Sequence, residues 1–248
     1  YWAEIIEIFA TKDEWRAAVT ALEKYAASSA AGTAREALEK VLELPWNVKL
    51  QGFHERVPLS SLSRFCTRDW LQTRHIDLML ELLDPHGARA ASGIRVLPSG
   101  HPQQLMDLYE DGGEGYDTER GFADLRELGH DFGTGADSTL LTVGNINADH
   151  WVALVIDFEA KMVHYGDAFG GRPNTLLKDA YSWWISQHHR DAFAWRDLPI
   201  TTQTDSNSCG VLATNALEHY LDPKVRLLEM KDARDARLRA LSDIVDRH

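Results

Sequence analysis

The chain has 248 residues, with 26 Lys+Arg against 38 Asp+Glu for a net charge of −12, a balance that excludes a basic nucleic-acid binder. Hydrophobic residues make up 44% and charged residues 26%, which is enough apolar material for a sizeable core and excludes global disorder. No run approaches the roughly 18 apolar residues of a membrane span. The most apolar stretch, Val152 to Ile156, is cut off by Asp157. Two cysteines, Cys66 and Cys209, supply neither a disulfide framework nor a four-cysteine zinc site, and they point to a reducing, intracellular compartment. Numbering that begins at Tyr1 without a charged-then-apolar leader reads as a piece of a longer protein, whose targeting signals lie outside it.

Residues 1–45 read as a helical extension and residues 46–248 as the main domain. Thr11-Lys-Asp-Glu14 and Thr33-Ala-Arg-Glu36 both have the capping-box form, so two helix starts are expected there. The first helix puts Trp15, Ala18, Val19, Leu22, Tyr25 and Ala26 on one face. The second does so with Ala37, Leu38, Val41 and Leu42 before Pro45 stops it. A third helix is expected from about Asp69 to Leu83, closed by Asp84-Pro85-His86-Gly87. Residues 111–135 carry seven glycines among many acids and read as an irregular surface excursion with a short helix near Glu119 to Leu128.

From Thr139 the period shortens. Leu140 to Ile146, Trp151 to Phe158 and Lys161 to Tyr165 form β-branched or aromatic runs with short polar breaks between them, the pattern of adjacent antiparallel strands. Helical spacing resumes from Asn174 to His189, a further strand is expected from about Ala194 to Thr201, and a helix from Cys209 to about Leu221 ends at Asp222-Pro223. Residues 224–247 read as a charged amphipathic helical tail.

The chain contains no His-Glu-x-x-His, Cys-x-x-Cys, P-loop or Gly-x-Ser-x-Gly motif, so metal, nucleotide and serine-hydrolase chemistry all lose weight. His188-His189 are adjacent on a helix and point about 100° apart, unlike an i, i+4 metal pair. What remains is Cys209-Gly210, placed between a polar turn and an apolar helical run. A cysteine in a helix's first turn faces unpaired N–H groups and the positive dipole end, which favour the thiolate. A buried structural cysteine fits the same local pattern. Gln203 lies six positions upstream, where its amide can serve as an oxyanion donor. His150 opens one strand and Asp167 follows the next. If those strands pair about Glu159-Ala160, residues whose numbers sum to about 319 face each other, and His150 and Asp167 fall at one end of the sheet. A carboxylate there holds the imidazole's orientation while the other ring nitrogen takes a thiol proton, although a purely structural His–Asp bond has the same spacing.

The order His150-Trp151, Tyr165-x-Asp167, Gln203 and Cys209-Gly210 resembles the ubiquitin-like-protein-specific cysteine proteases, the SUMO or sentrin proteases related to adenovirus protease. Leu59-Ser-Ser-Leu62 and Asp69-Trp70-Leu71 look like that family's upstream segment, and the resemblance spans roughly residues 55–222. It implies an α+β papain-like fold with a mixed central sheet flanked by helices. It also implies Cys209 as nucleophile, His150 as general base and acid, Asp167 as orienter and Gln203 as oxyanion donor. Trp70 and Trp151 match the tryptophans that enclose a modifier's Gly-Gly tail. The implied activity is cleavage after the C-terminal Gly-Gly of SUMO or another ubiquitin-like protein, in maturation or deconjugation, in nucleus or cytoplasm. It needs no metal or organic cofactor and involves neither nucleic acid nor membrane.

The chain departs from the family pattern at two positions. Trp-Leu-Asn-Asp reads Trp70-Leu71-Gln72-Thr73, without the carboxylate that would meet a basic residue of the modifier, and the usual Asp before the nucleophile is Ser208. The modifier's identity therefore stays open. So do three other readings of the same thiol and imidazole: an endopeptidase of ordinary polypeptides, a non-catalytic modifier-binding module, and a YopJ-like acetyltransferase.

Overall fold

The computed structural model describes residues 2–28, 32–45, 48–84, 89 and 91–248, with side chains from residue 9 onward. Its centre is a five-stranded mixed sheet in the order β1 (Ile94–Val96), β2 (Thr139–Ile146), β3 (His150–Asp157), β4 (Met162–Gly166) and β5 (Ala194–Asp197). The three middle strands are antiparallel, while β1 and β5 join the edges in parallel. Ala153 pairs with Gly166 and Leu154 with Tyr165, the register predicted for a hairpin about Glu159-Ala160. β5 ends sooner than the sequence pattern suggests, since Pro199 has no N–H to offer the ladder. The chain nevertheless stays alongside, with Leu198 N–H donating to Tyr165 O at 2.8 Å and Gln203 N–H to Ala168 O at 2.7 Å.

Period-two alternation gives the sheet two apolar faces. Leu141, Val143, Trp151, Ala153 and Val155 share one core with α1 (Trp2–Ser28), α2 (Thr33–Glu43), α3 (Ser63–Cys66) and α4 (Thr73–Leu83). Leu140, Val152, Leu154, Ile156 and Val163 form the other with α5 (His101–Glu110), α6 (Ala123–Thr134) and α7 (Thr175–His188). Two further helices, α8 (Cys209–Leu221) and α9 (Ala233–Arg247), complete the first face. This is an α+β fold with helices on both sides of a mixed sheet. The N-terminal helices join it directly, because Trp15, Ala18, Leu22, Ala34, Ala37 and Val41 are buried in the first core. No helix among the described residues is long and apolar enough to cross a membrane.

Several boundaries differ from the sequence reading. α1 runs through Thr11, so that capping box starts no helix: nothing between Trp2 and Ser28 is a strong breaker, and the helix propagates through it. Thr33 lies at the first position of α2 rather than at its cap, which is Gly32. The helix expected from Asp69 starts at Thr73. Before it, the Thr67 hydroxyl donates to Asp69 at 2.7 Å, and Arg237 donates to the carbonyls of Arg64 and Asp69, so the chain is pinned in a bend. The expected closing residues 85–87 lie outside the described residues. α6 runs to Thr134 rather than Leu128. Its Gly129 lets His188 approach so closely that an added Cβ would lie 2.2 Å from that ring, a tertiary reason for a glycine that otherwise reads as loop.

His75 ties α4 to the preceding segment. Its Nδ1 accepts from Gln72 N–H at 3.1 Å, so Nε2 carries the proton and donates to Ser61 O at 3.0 Å. Burial pushes its pKa down from 6.5 to about 4, because protonation would charge a buried ring near the cationic Arg64 and Arg237. A histidine with a depressed folded pKa gives stability that is complete above 6.5 and drains away as pH falls towards 4. Urea unfolding between pH 7 and 4.5 should show a loss of up to about 1.4 kcal/mol per pH unit from this group. His75→Gln should flatten that slope, and an unchanged slope in the variant would rule out His75 as its source.

Candidate active site

The site forms where β3 begins, β4 ends and α8 starts. Cys209 is the first residue of α8, as the polar-to-apolar switch in the sequence requires, and it is buried at 2% exposure. In that position its backbone N–H is one of the orphan donors of a helix N-terminus. Gly210 follows because nothing larger fits: an added Cβ would lie 2.5 Å from Ile76 Cδ1 and 3.3 Å from Trp151 Cδ1. The other cysteine is a different case. Cys66 is packed in the first core, and burial pushes its thiol up to about 12, which leaves it protonated and inert.

His150 and Asp167 meet as the strand register predicts. His150 Nε2 lies 2.7 Å from Asp167 Oδ1, and the same oxygen accepts Phe169 N–H at 2.8 Å. The carboxylate is therefore held by its own turn as well as by the ring. Gly171 leaves room for the other oxygen, since a Cβ there would come within 2.4 Å of Asp167 Oδ2. With Nε2 committed to Asp167, the neutral ring carries its lone pair on Nδ1, which is buried and has no hydrogen-bond partner. Burial pushes the His150 pKa down, but nearby Cys209 and Asp167 outweigh it and hold the value above that of an ordinary histidine. The arrangement thus favours the charged form of the imidazole. Phe169, itself 57% exposed, stacks on His150 with ring centroids 4.7 Å apart.

Gln203 is buried at the same turn, but its amide nitrogen donates to Asp205, at 2.9 Å from both the main-chain oxygen and Oδ1, and its Oε1 is buried without a partner. The opposite amide orientation would set Oε1 against two oxygens, so the nitrogen belongs on Asp205. Asp205 is the residue that sequence reasoning missed. Its carboxylate accepts from Gln203, from Asn207 N–H at 3.2 Å, from Ser208 N–H at 3.1 Å and from the Ser208 hydroxyl at 2.6 Å. Burial pulls its pKa up, but these donors prevail and hold it below the usual carboxylate range. An Asp three residues before a polar helix start is the Asx-turn signal that could have flagged it.

Trp70 and Trp151 do come together, but in face-to-face contact. Their ring centroids are 5.1 Å apart and their planes 12° from parallel, which leaves no space for a peptide between them. Trp151 is anchored, fully buried with its indole N–H donating to Leu71 O at 2.7 Å. Trp70 is half-buried, and its indole nitrogen is enclosed without an acceptor. Thr73, without a carboxylate, opens α4 directly after this segment. Among the described residues no three His, Cys, Asp or Glu side chains converge as metal ligands.

No family model matches the chain, and no curated protein matches it in sequence. Solved structures do match. The SUMO protease Ulp1 with its catalytic cysteine oxidized to a sulfenic acid aligns with a TM-score of 0.63 at 19% identity, over 86% of this chain and 94% of that one. The C-terminal Ulp1 protease domain in complex with Smt3, the yeast ortholog of SUMO, aligns at 0.61 and 18% identity over 86% and 95%. The Ulp1-like SUMO protease catalytic domain of Chaetomium thermophilum aligns at 0.53 and 16% identity over 94% and 88%. The chain has the fold of the Ulp1-type SUMO protease catalytic domains.

Proposed function

We propose that the chain is a thiol protease or isopeptidase that cleaves after the C-terminal Gly-Gly of SUMO or another ubiquitin-like modifier. The observation that carries this reading is the conjunction at one point of the fold: Cys209 at the N-terminus of α8, near enough to raise the pKa of a His150 whose Nε2 is held by Asp167. The Cys209 thiolate attacks the glycyl carbonyl carbon, and charge develops on the carbonyl oxygen against the Cys209 N–H. As the scissile C–N bond breaks, His150 gives its proton to the leaving amine and a thioester remains. Water, deprotonated by His150, then attacks the thioester and releases the carboxylate and the thiol. In this reading Gln203 turns one N–H from Asp205, which holds both in the free chain, to the oxyanion.

The same reading requires Trp70 to swing away from Trp151 as the tail enters. Residues without side chains pass such an opening and bulkier ones clash with it.

Capture by C-terminally electrophilic SUMO, ubiquitin and related modifier probes tests the proposal. An adduct with one probe, mapped by peptide mass to Cys209, supports it and names the modifier. Absence of any adduct, together with cleavage of unrelated peptides, would replace it by an endopeptidase. Asp205→Ala should lower kcat by about tenfold to a hundredfold with little change in KM, since it releases Gln203 and the turn before Cys209 together. Asp205→Asn, whose carbonyl oxygen still accepts, should recover part of that loss. Equal kcat in all three proteins would show that Asp205 has no part in turnover.

A further inference from the structure

Behind the turn that carries Cys209 lies a cavity of about 450 Å³, walled by Arg68, Lys231, Arg234 and Arg237, with Asp205 as the one acid in its lining. That volume suits a small ligand. The charges are notable in a chain of net −12. Lys231 is paired with Glu229 at 2.7 Å, but among the described residues none of the three arginines has a carboxylate within 4.0 Å.

The nearby acids are spent on other donors. Asp235 accepts the Tyr25 hydroxyl at 2.9 Å, Asp69 accepts the Thr67 hydroxyl at 2.7 Å, and Asp205 is filled by its own turn. Arg237 is only 4% exposed. One of its terminal nitrogens serves the carbonyls of Arg64 and Asp69, while its Nε is buried with no acceptor. Arg234 lies 3.5 Å from the centroid of the Tyr25 ring, and burial and the facing Arg68 both push its pKa down. It also stands in the first turn of α9, whose cap residue Asp232 makes no side-chain hydrogen bond to the free N–H groups there. The buried Arg237, whose Nε has no acceptor, is the guanidinium that gains most from an anion beside it. The forked donors of arginine match phosphate oxygens, and a helix N-terminus favours the same charge.

We propose that this cavity binds a small phosphate-bearing polyanion held by Arg68, Arg234 and Arg237. The site shares Asp205 and Ser208 with the turn before Cys209, but its test reads binding and does not depend on protease activity. Inorganic tripolyphosphate, titrated calorimetrically into the full chain at fixed ionic strength, should bind saturably at one site. Arg68→Gln and Arg234→Gln should each weaken binding by about tenfold or more, as loss of a charge-assisted hydrogen bond implies. A melting curve for each variant confirms that it is folded. Three results would each overturn the proposal: no saturable binding by the native chain, undiminished affinity in the folded double variant, or sulfate binding as tightly as tripolyphosphate.

Discussion

Replacing Cys209 by alanine should lower turnover of a modifier substrate by about 10⁵ or more, the scale on which enzymes lose activity when a covalent nucleophile is removed. The loss should fall on kcat. The half-buried Trp70 and the turn at Thr73 are untouched by the substitution, so modifier binding should persist. A second readout reaches the site without substrate. Cys209 is one of the two groups that hold the His150 pKa up against burial, so the imidazole titration followed by NMR should move to lower pH in Cys209→Ala. Cys66→Ala is the control. That thiol is buried in the first core and held protonated by desolvation, so its loss should leave kcat unchanged and only lower stability, as a small core truncation does. Turnover that survives in Cys209→Ala and disappears in Cys66→Ala would exchange the roles of the two cysteines and end the present assignment.

The placing of Cys209, His150 and Asp167 was legible because each is fixed by local pattern plus one register. The hairpin between β3 and β4 pairs residues about Glu159-Ala160, which brings His150 and Asp167 to one end of the sheet, and the polar-to-apolar switch at Cys209 marks the start of α8. The elements that escaped are those set by long-range contacts. β1 is a three-residue strand that pairs in parallel with β2, and its sequence Ile94-Arg95-Val96 is too short to announce itself. α5 begins at His101-Pro102 after Pro98 and Gly100, which read locally as a loop. The true start of α4 is imposed by Arg237, more than 160 residues away in the chain, through hydrogen bonds that no local window contains. Gln203 shows a subtler limit. Its position was evident from spacing, but the direction of its amide depends on Asp205, a residue whose role appears only once the turn is folded.

Asp167 is the second of the two groups that hold the His150 pKa up, and its removal should have the second-largest effect. In Asp167→Ala the ring loses both its hydrogen-bond acceptor and its counter-charge, and kcat/KM should fall roughly 10²- to 10⁴-fold. Asp167→Asn should fall less. A single oxygen, Oδ1, accepts from both His150 Nε2 and Phe169 N–H, so an asparagine carbonyl in the same place keeps both bonds and the ring tautomer and forfeits only the charge. The pH profile separates the two losses. On the proposed mechanism the imidazolium is the acid that protonates the leaving amine, so activity should decline as pH rises through the His150 pKa, which lies above the ordinary 6.5. Removing the Asp167 charge takes away one of the influences that raise this pKa. The alkaline limb of kcat/KM should therefore move to lower pH in both variants, while the larger drop in plateau rate belongs to alanine alone. A limb that stays in place while the rate falls would show that Asp167 acts by geometry only. A wild-type rate in Asp167→Ala would show that another group orients the ring.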